Sequence, residues 1–261
     1  MSAAFVDALQ GEWLKQRRSL ATWMVLAGAC FTPAIILVVR LVRHAGLSAL
    51  HAAADFWTQL WSSAWESSAI FFLPMGLVLA TSLIVQIEFR NNTWKQVHTL
   101  PIGPATIYFA KLAIVLLLLV QFLLAFNLAL WFTAAVPAWL VPGVAMPTAP
   151  IPWAAFLRDD LGYAVGGLPI VGLQYAIALR HRNVMVPVGI GFLLWVGTLG
   201  MLSTRWGSLS PYAATMLQYI GVASPGKLPP PVVDVHGLAL GYFVLFTVAG
   251  YLLFARARSK G

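Results

Sequence analysis

The chain of 261 residues is 60% hydrophobic and 9% charged, with a formal net charge of +8 and a mean hydropathy of +0.83. Soluble domains carry roughly 25% charged residues, so a water-soluble fold is excluded and the composition is that of an integral membrane protein. The one cysteine, Cys30 inside an apolar run, excludes a disulfide framework and a cysteine-built metal site.

The first 19 residues mix charge with apolar side chains and hold no apolar core of the kind a cleavable signal needs. Phe5, Leu9 and Trp13 recur every four residues, while Asp7, Gly11, Lys15 and Arg18 take another face. That pattern predicts an amphipathic helix lying in the membrane interface, either anchoring the chain or docking a partner. A crossing helix needs about 20 apolar residues, and six stretches qualify: roughly 20–39, 67–87, 107–136, 161–179, 184–203 and 237–255. Runs such as Ala113 to Val120 lack the alternation of a membrane strand. The expectation is an all-α, polytopic single transmembrane domain over residues 1–261.

Of the 16 basic residues, eleven fall on the side of the N-terminus: Lys15, Arg17, Arg18, Arg90, Lys95, Lys111, Arg180, Arg182, Arg256, Arg258 and Lys260. Arg40, Arg43, Arg158, Arg205 and Lys227 fall on the other. The positive-inside rule then places both termini in the cytoplasm. The basic excess reads as a topology determinant, not a nucleic-acid site. Trp57, Trp61 and Trp65 form one helical stripe, and Trp139, Trp153 and Trp206 lie in the other outer connections. The expectation is an anchoring belt at the outer interface; an aromatic vestibule touching substrate is the alternative.

The only sizeable cytoplasmic loop covers residues 88–106. Asn92 or Thr93 can cap a short helix there that Pro101 ends. Two turns are too short to stand alone in water. The segment is expected to pack on something, with Trp94, Lys95, Gln96 and His98 offered to a partner protein; a plain basic loop is the alternative. The outer connection 204–235 holds an apolar stretch, 210–221, too short to cross, which predicts a re-entrant or interfacial helix. Pro229, Pro230 and Pro231 follow as a stiff run.

A near-match to a phosphate loop, Gly221 to Leu228, ends in Leu where Ser or Thr must hold magnesium, and no strand precedes it. No nucleotide site is therefore expected in this chain. The five histidines lack ligand spacing, so no metal is expected either. No Asp or Glu falls near the middle of an expected span, which argues against ion-coupled transport. The polar residues expected inside spans are Thr81, Ser82, Gln86, Gln121, Asn127 and Gln174. Interhelical hydrogen bonding accounts for most of them, and Asn127 and Gln174 are the candidates for a translocation path. Gly162 with Gly166, and Gly237 with Gly241, are small-residue pairs for close helix packing, within one chain or between two. Pro33, Pro74, Pro169 and Pro187 are expected to kink their spans.

Taken together, these features resemble the membrane subunit of an ATP-binding-cassette transporter of the type-2 exporter permease family. Glu12-Trp13-Leu14-Lys15 matches the Glu-x-x-Lys stretch of the family's interfacial helix. Glu88, Arg90, Thr93, Lys95, Pro101-Ile102 and Lys111 match its loop between spans two and three and the Lys that opens span three. The sequence departs at Ile102-Gly103-Pro104, where members often carry Ser-Arg. In length it is most similar to the bacitracin- and lantibiotic-immunity branch. The resemblance implies a coupling loop seated in a groove of a separate P-loop ATPase, through Glu88, Arg90, Asn92, Thr93, Trp94, Lys95, Gln96 and His98, with Glu12, Trp13 and Lys15 on the interfacial helix. It further implies two ATPase copies holding ATP and magnesium, a second permease, identical or related, and no cofactor in this chain. The implied cargo is hydrophobic or amphipathic, such as an antimicrobial peptide or drug, moved outward across the inner (plasma) membrane of a bacterium. Two rivals come from other classes. One is a lipid-modifying membrane enzyme using Asp159 and Asp160 with His51 or His236. The other is an envelope scaffold that transports nothing.

Overall fold

A backbone inside lipid must satisfy its own hydrogen bonds, and the described residues do so with helices. The structure, a computed structural model, describes residues 3–90 and 103–258, and no strand occurs among them. Helix α1 is Ala3–Gln16 and α2 is Leu20–Val42; the Ser19 hydroxyl caps α2 by accepting from the Thr22 amide. A short α3, Leu47–His51, follows Gly46, whose positive φ of 87° turns the chain. Helix α4, Phe56–Ser67, runs through a π-turn, Ser68–Phe72, into α5, Leu73–Arg90. Then come α6 (Pro104–Leu140), α7 (Trp153–Ala178), α8 (Met185–Met201), a 3₁₀ turn (Arg205–Leu209), α9 (Ala213–Ala223) and α10 (Val235–Arg258).

Five of these segments are long and apolar enough to cross a membrane: Leu20–Val42, Phe56–Ile87, Pro104–Leu140, Trp153–Ala178 and Val235–Arg256. The stretch expected as span five is α8, whose 17 residues reach about 26 Å. Successive crossings alternate in direction, so α1, the 90–103 connection and the end of α10 share one end of the bundle, called here the near end. Helix α7 is central and packs on α10, α5, α9 and α6. Outward faces carry Val38, Leu124 and Val244, as lipid requires.

Two crossings begin earlier than expected. The second starts at Phe56 instead of 67, because Trp57, Leu60, Trp61, Ala64 and Trp65 continue one apolar face while Thr58, Gln59, Ser63 and Glu66 fall on the other. The fourth starts at Trp153 instead of 161. Arg158, Asp159 and Asp160 interrupt the hydropathy but not the helix, which starts right after Pro152. Asp160 therefore lies about two turns inside α7, still short of the middle of that 26-residue helix. The belt reading of Trp57, Trp61 and Trp65 is also corrected. All three are buried in the bundle, where Trp61 stacks on Phe156 at 3.9 Å and Trp65 on Tyr163 at 3.7 Å. Trp139, Trp153 and Trp206 are exposed.

Proline explains two otherwise unexpected side-chain bonds. A proline inside a helix cannot donate to the carbonyl four residues earlier. Pro74 leaves the Ile70 carbonyl open, and the Trp195 indole donates to it at 2.7 Å, tying α8 to the π-turn. Pro137 leaves Thr133 open, and Arg40 donates to it at 3.3 Å, with its guanidinium over the Phe56 ring at 5.0 Å.

At the far end, α9 runs antiparallel to the first half of α7. Gly166 faces Ala214 and Thr215, and Gly162 faces Gln218, so close that a Cβ there would lie 2.7 Å from the Gln218 amide. The first glycine pair thus serves packing within the chain. Around Gly241 of the second pair a Cβ would meet nothing within 4 Å.

Candidate functional site

The near end gathers the two halves of the charged pattern. Glu12 and Lys15 lie on one face of α1 and Lys111 lies two turns into α6. Lys111 Nζ donates to Glu12 Oε2 at 2.6 Å, and Lys15 Nζ donates to Glu12 Oε1 at 2.7 Å. Lys111 is only 1% exposed, so this is a buried ion pair with its desolvation cost met by a direct counter-charge. Burial pushes the Glu12 carboxyl up, but Lys111 and Lys15 together outweigh it and hold it below its ordinary 4.5. Trp13, one residue on, is exposed.

The junction between α1 and α2 is sealed by amide and hydroxyl groups. Gln16 Nε2 donates to Thr22 Oγ1 at 3.0 Å, and Thr22 Oγ1 donates to the Gln16 carbonyl at 2.7 Å. These bonds fix the angle between the interfacial helix and the first crossing.

The other side of α6 is held by tyrosines. Tyr108 donates its hydroxyl to the Thr247 carbonyl of α10 at 2.9 Å, and Tyr175 of α7 donates to the Tyr108 carbonyl at 2.9 Å. Gly250 makes room: a Cβ there would lie 2.7 Å from the Tyr108 hydroxyl. The first two turns of α6 are thus clamped to α1, α7 and α10 at once. Gln86, near the end of α5, donates to the His181 carbonyl at 2.9 Å, tying α5 to the α7–α8 turn. The tyrosines were not singled out from the sequence. The available signal was that a Tyr inside a crossing needs a hydrogen-bond partner.

Of the expected coupling residues, Asn92, Thr93, Trp94, Lys95, Gln96 and His98 lie outside the described residues. Glu88 and Arg90 fall in the last turn of α5, and their side chains are likewise outside the description.

The two candidate path residues sit apart. Gln174 is buried and its amide joins three elements: Nε2 donates to Ser82 Oγ at 3.3 Å and to the Pro187 carbonyl, while Oε1 accepts from the Tyr212 hydroxyl at 3.3 Å. Asn127 donates to the Leu123 carbonyl and to Asp160 Oδ2 at 2.9 Å. Among the residues of the rival enzyme cluster, His51 donates to the Ala145 carbonyl and His236 to Gln218. Neither histidine is hydrogen-bonded to Asp159 or Asp160. No group of three His, Cys, Asp or Glu gathers among the described residues.

The near end thus joins helix α1, through a buried ion pair, to the start of the crossing that follows the basic 88–106 segment. The family model described as ABC-2 family transporter protein matches residues 8–198, a stretch that contains the second half of α1 with Glu12 and Lys15, the 88–106 segment and Lys111. No curated protein matches the chain. The chain belongs to the ABC-2 transporter family and is a multi-pass membrane permease component of an ATP-binding-cassette transporter.

Proposed function

We propose that this permease works as the membrane half of an exporter, with both termini on the cytoplasmic side of a bacterial inner membrane. Two copies of a separate P-loop ATPase bind the 88–106 loop at the near end, and a second permease, identical or related, completes the pore. ATP and magnesium stay in the ATPase. The cargo is hydrophobic or amphipathic and leaves toward the far end.

The observation that carries this reading is the threefold clamp on the start of α6. A displacement applied to the 88–106 loop enters α6 at Pro104 and reaches Tyr108 and Lys111 within two turns. From there the Glu12 pair hands it to α1, the Tyr175 bond to α7 and the Thr247 bond to α10. A rigid link of this kind lets ATP binding bias the bundle between two states, as a ligand-driven switch requires.

The test is purification of the tagged full chain from its native membrane in mild detergent, with mass spectrometry of what accompanies it. The expected companion is a P-loop ATPase, lost when Trp94 and Lys95 are both changed to Ala. A folded permease that brings down no ATPase overturns the reading.

A further inference from the structure

The far end holds a small cavity of about 140 Å³ between α4, α7 and α9, walled by Trp61, Trp65, Phe156, Tyr163 and Tyr219, with Asp159 among its lining residues. Its chemistry is one-sided. Among the described residues no Lys, Arg or His lines it; Asp159 pairs with Arg158 at 3.8 Å on an 81% exposed side chain, a contact that contributes little in water. Asp159 itself is 29% exposed. Apolar aromatic walls beside a carboxylate favour an organic cation, because a charge pair is screened less there than in open water.

Size and position narrow the ligand. Drug-sized molecules occupy pockets of about 300–1,000 Å³, so this cavity takes only a head group. Its lip includes Val222, which is 73% exposed, giving an apolar tail a way out into lipid. We propose that this cavity binds the ammonium head of an amphiphile whose tail stays in the membrane. Asp159 supplies the counter-charge and the tryptophan and tyrosine rings the walls. The geometry stands alone; naming the occupant as cargo rests on the exporter reading above. Gly162 is part of the construction, since it lets Gln218 lie against α7 and donate to the Asp159 carbonyl at 2.9 Å, which sets α9 as one wall.

The test uses the purified full chain in a neutral detergent, with n-octylammonium as probe and n-octanol as its uncharged match, read by tryptophan fluorescence and thermal stability. Octylammonium is expected to act saturably and octanol not. Asp159→Asn should weaken the effect about tenfold, while Asp159→Glu should retain most of it. Equal responses to both probes, or an unchanged response in a folded Asp159→Asn variant, overturn the site. A second arm adds octylammonium to the permease–ATPase complex, where ATP hydrolysis is expected to rise in the native protein and not in Asp159→Asn. Binding without any change in hydrolysis overturns the cargo assignment and leaves the site standing. A third arm embeds the protein in phosphatidylethanolamine nanodiscs, where octylammonium binding should persist. Its loss there identifies the occupant as a lipid head group and also overturns the cargo assignment.

Discussion

The two ends of the bundle hold together by different physics. At the near end the contacts are directional: a buried ion pair between Glu12 and Lys111, and hydroxyl-to-carbonyl bonds from Tyr108 and Tyr175. At the far end rings stack, Trp61 on Phe156 and Trp65 on Tyr163, α9 sits against glycines of α7, and the hydrogen bonds are made by neutral groups or by Arg40 to a carbonyl, such as Gln218 to Asp159 and Arg40 to Thr133. Among the described residues the near end alone is closed by a buried ion pair, and on the proposed reading that pair passes displacement from α6 to α1.

The largest expected effect comes from breaking the near end. Glu12→Ala removes the carboxylate 2.6 Å from the buried Lys111 and should cost about 3 kcal/mol, read as a lower unfolding temperature in detergent. The double variant Glu12→Gln with Lys111→Met should recover most of that loss, since a buried pair can often be replaced by apolar groups at little cost. Recovery of stability would separate the charge pair from general packing.

Next is the contact where a proline opened a carbonyl. Trp195→Phe keeps an aromatic, though smaller, side chain and removes the donor to the Ile70 carbonyl, and about 2 kcal/mol should be lost. Trp206→Phe is the control, because that residue is exposed and should move the unfolding temperature little. The far end should give less. Gly162→Ala pushes aside the far end of a flexible Gln218 and breaks one neutral hydrogen bond, worth about 1 kcal/mol.

The smallest effect is one of pH. Glu12 is held below its ordinary 4.5 by Lys111 and Lys15 acting against its burial. A carboxyl lowered in the folded state contributes stability above its unfolded pKa, and that contribution fades as pH falls through the folded value. Unfolding temperature should therefore be level with respect to this group above about pH 4.5 and decline below it. In Glu12→Gln that part of the acid decline should be absent.

Helical class was legible in composition and run length; of the six stretches expected to cross, five are long apolar helices and the fifth in order is the shorter α8. Glu12, Lys15 and Lys111 were legible too, as members of a pattern. Their meeting was not, because 99 positions separate Glu12 from Lys111 and no periodicity joins them. The tryptophan stripe was read correctly as one helical face and wrongly as a belt. A stripe states which side chains point together, but whether lipid or protein covers them depends on which helix packs there. The early starts of α4 and α7 were hidden because hydropathy averages over charges such as Asp159 and Asp160, whereas a helix can continue through them when one, here Asp160, finds a partner in Asn127. The tyrosine bonds escaped notice for a similar reason: a phenol among apolar residues looks like core until its hydroxyl is given a partner.

The most direct test of the coupling role is the ATP hydrolysis rate of the permease–ATPase complex in a bilayer, native against Glu12→Gln. Only assembled complexes are compared, because the 88–106 loop is unchanged and binding should survive. A coupling role predicts that the hydrolysis rate of the variant no longer responds to the permease, a loss of about tenfold or more. An assembled Glu12→Gln complex that hydrolyses ATP like the native one would contradict it.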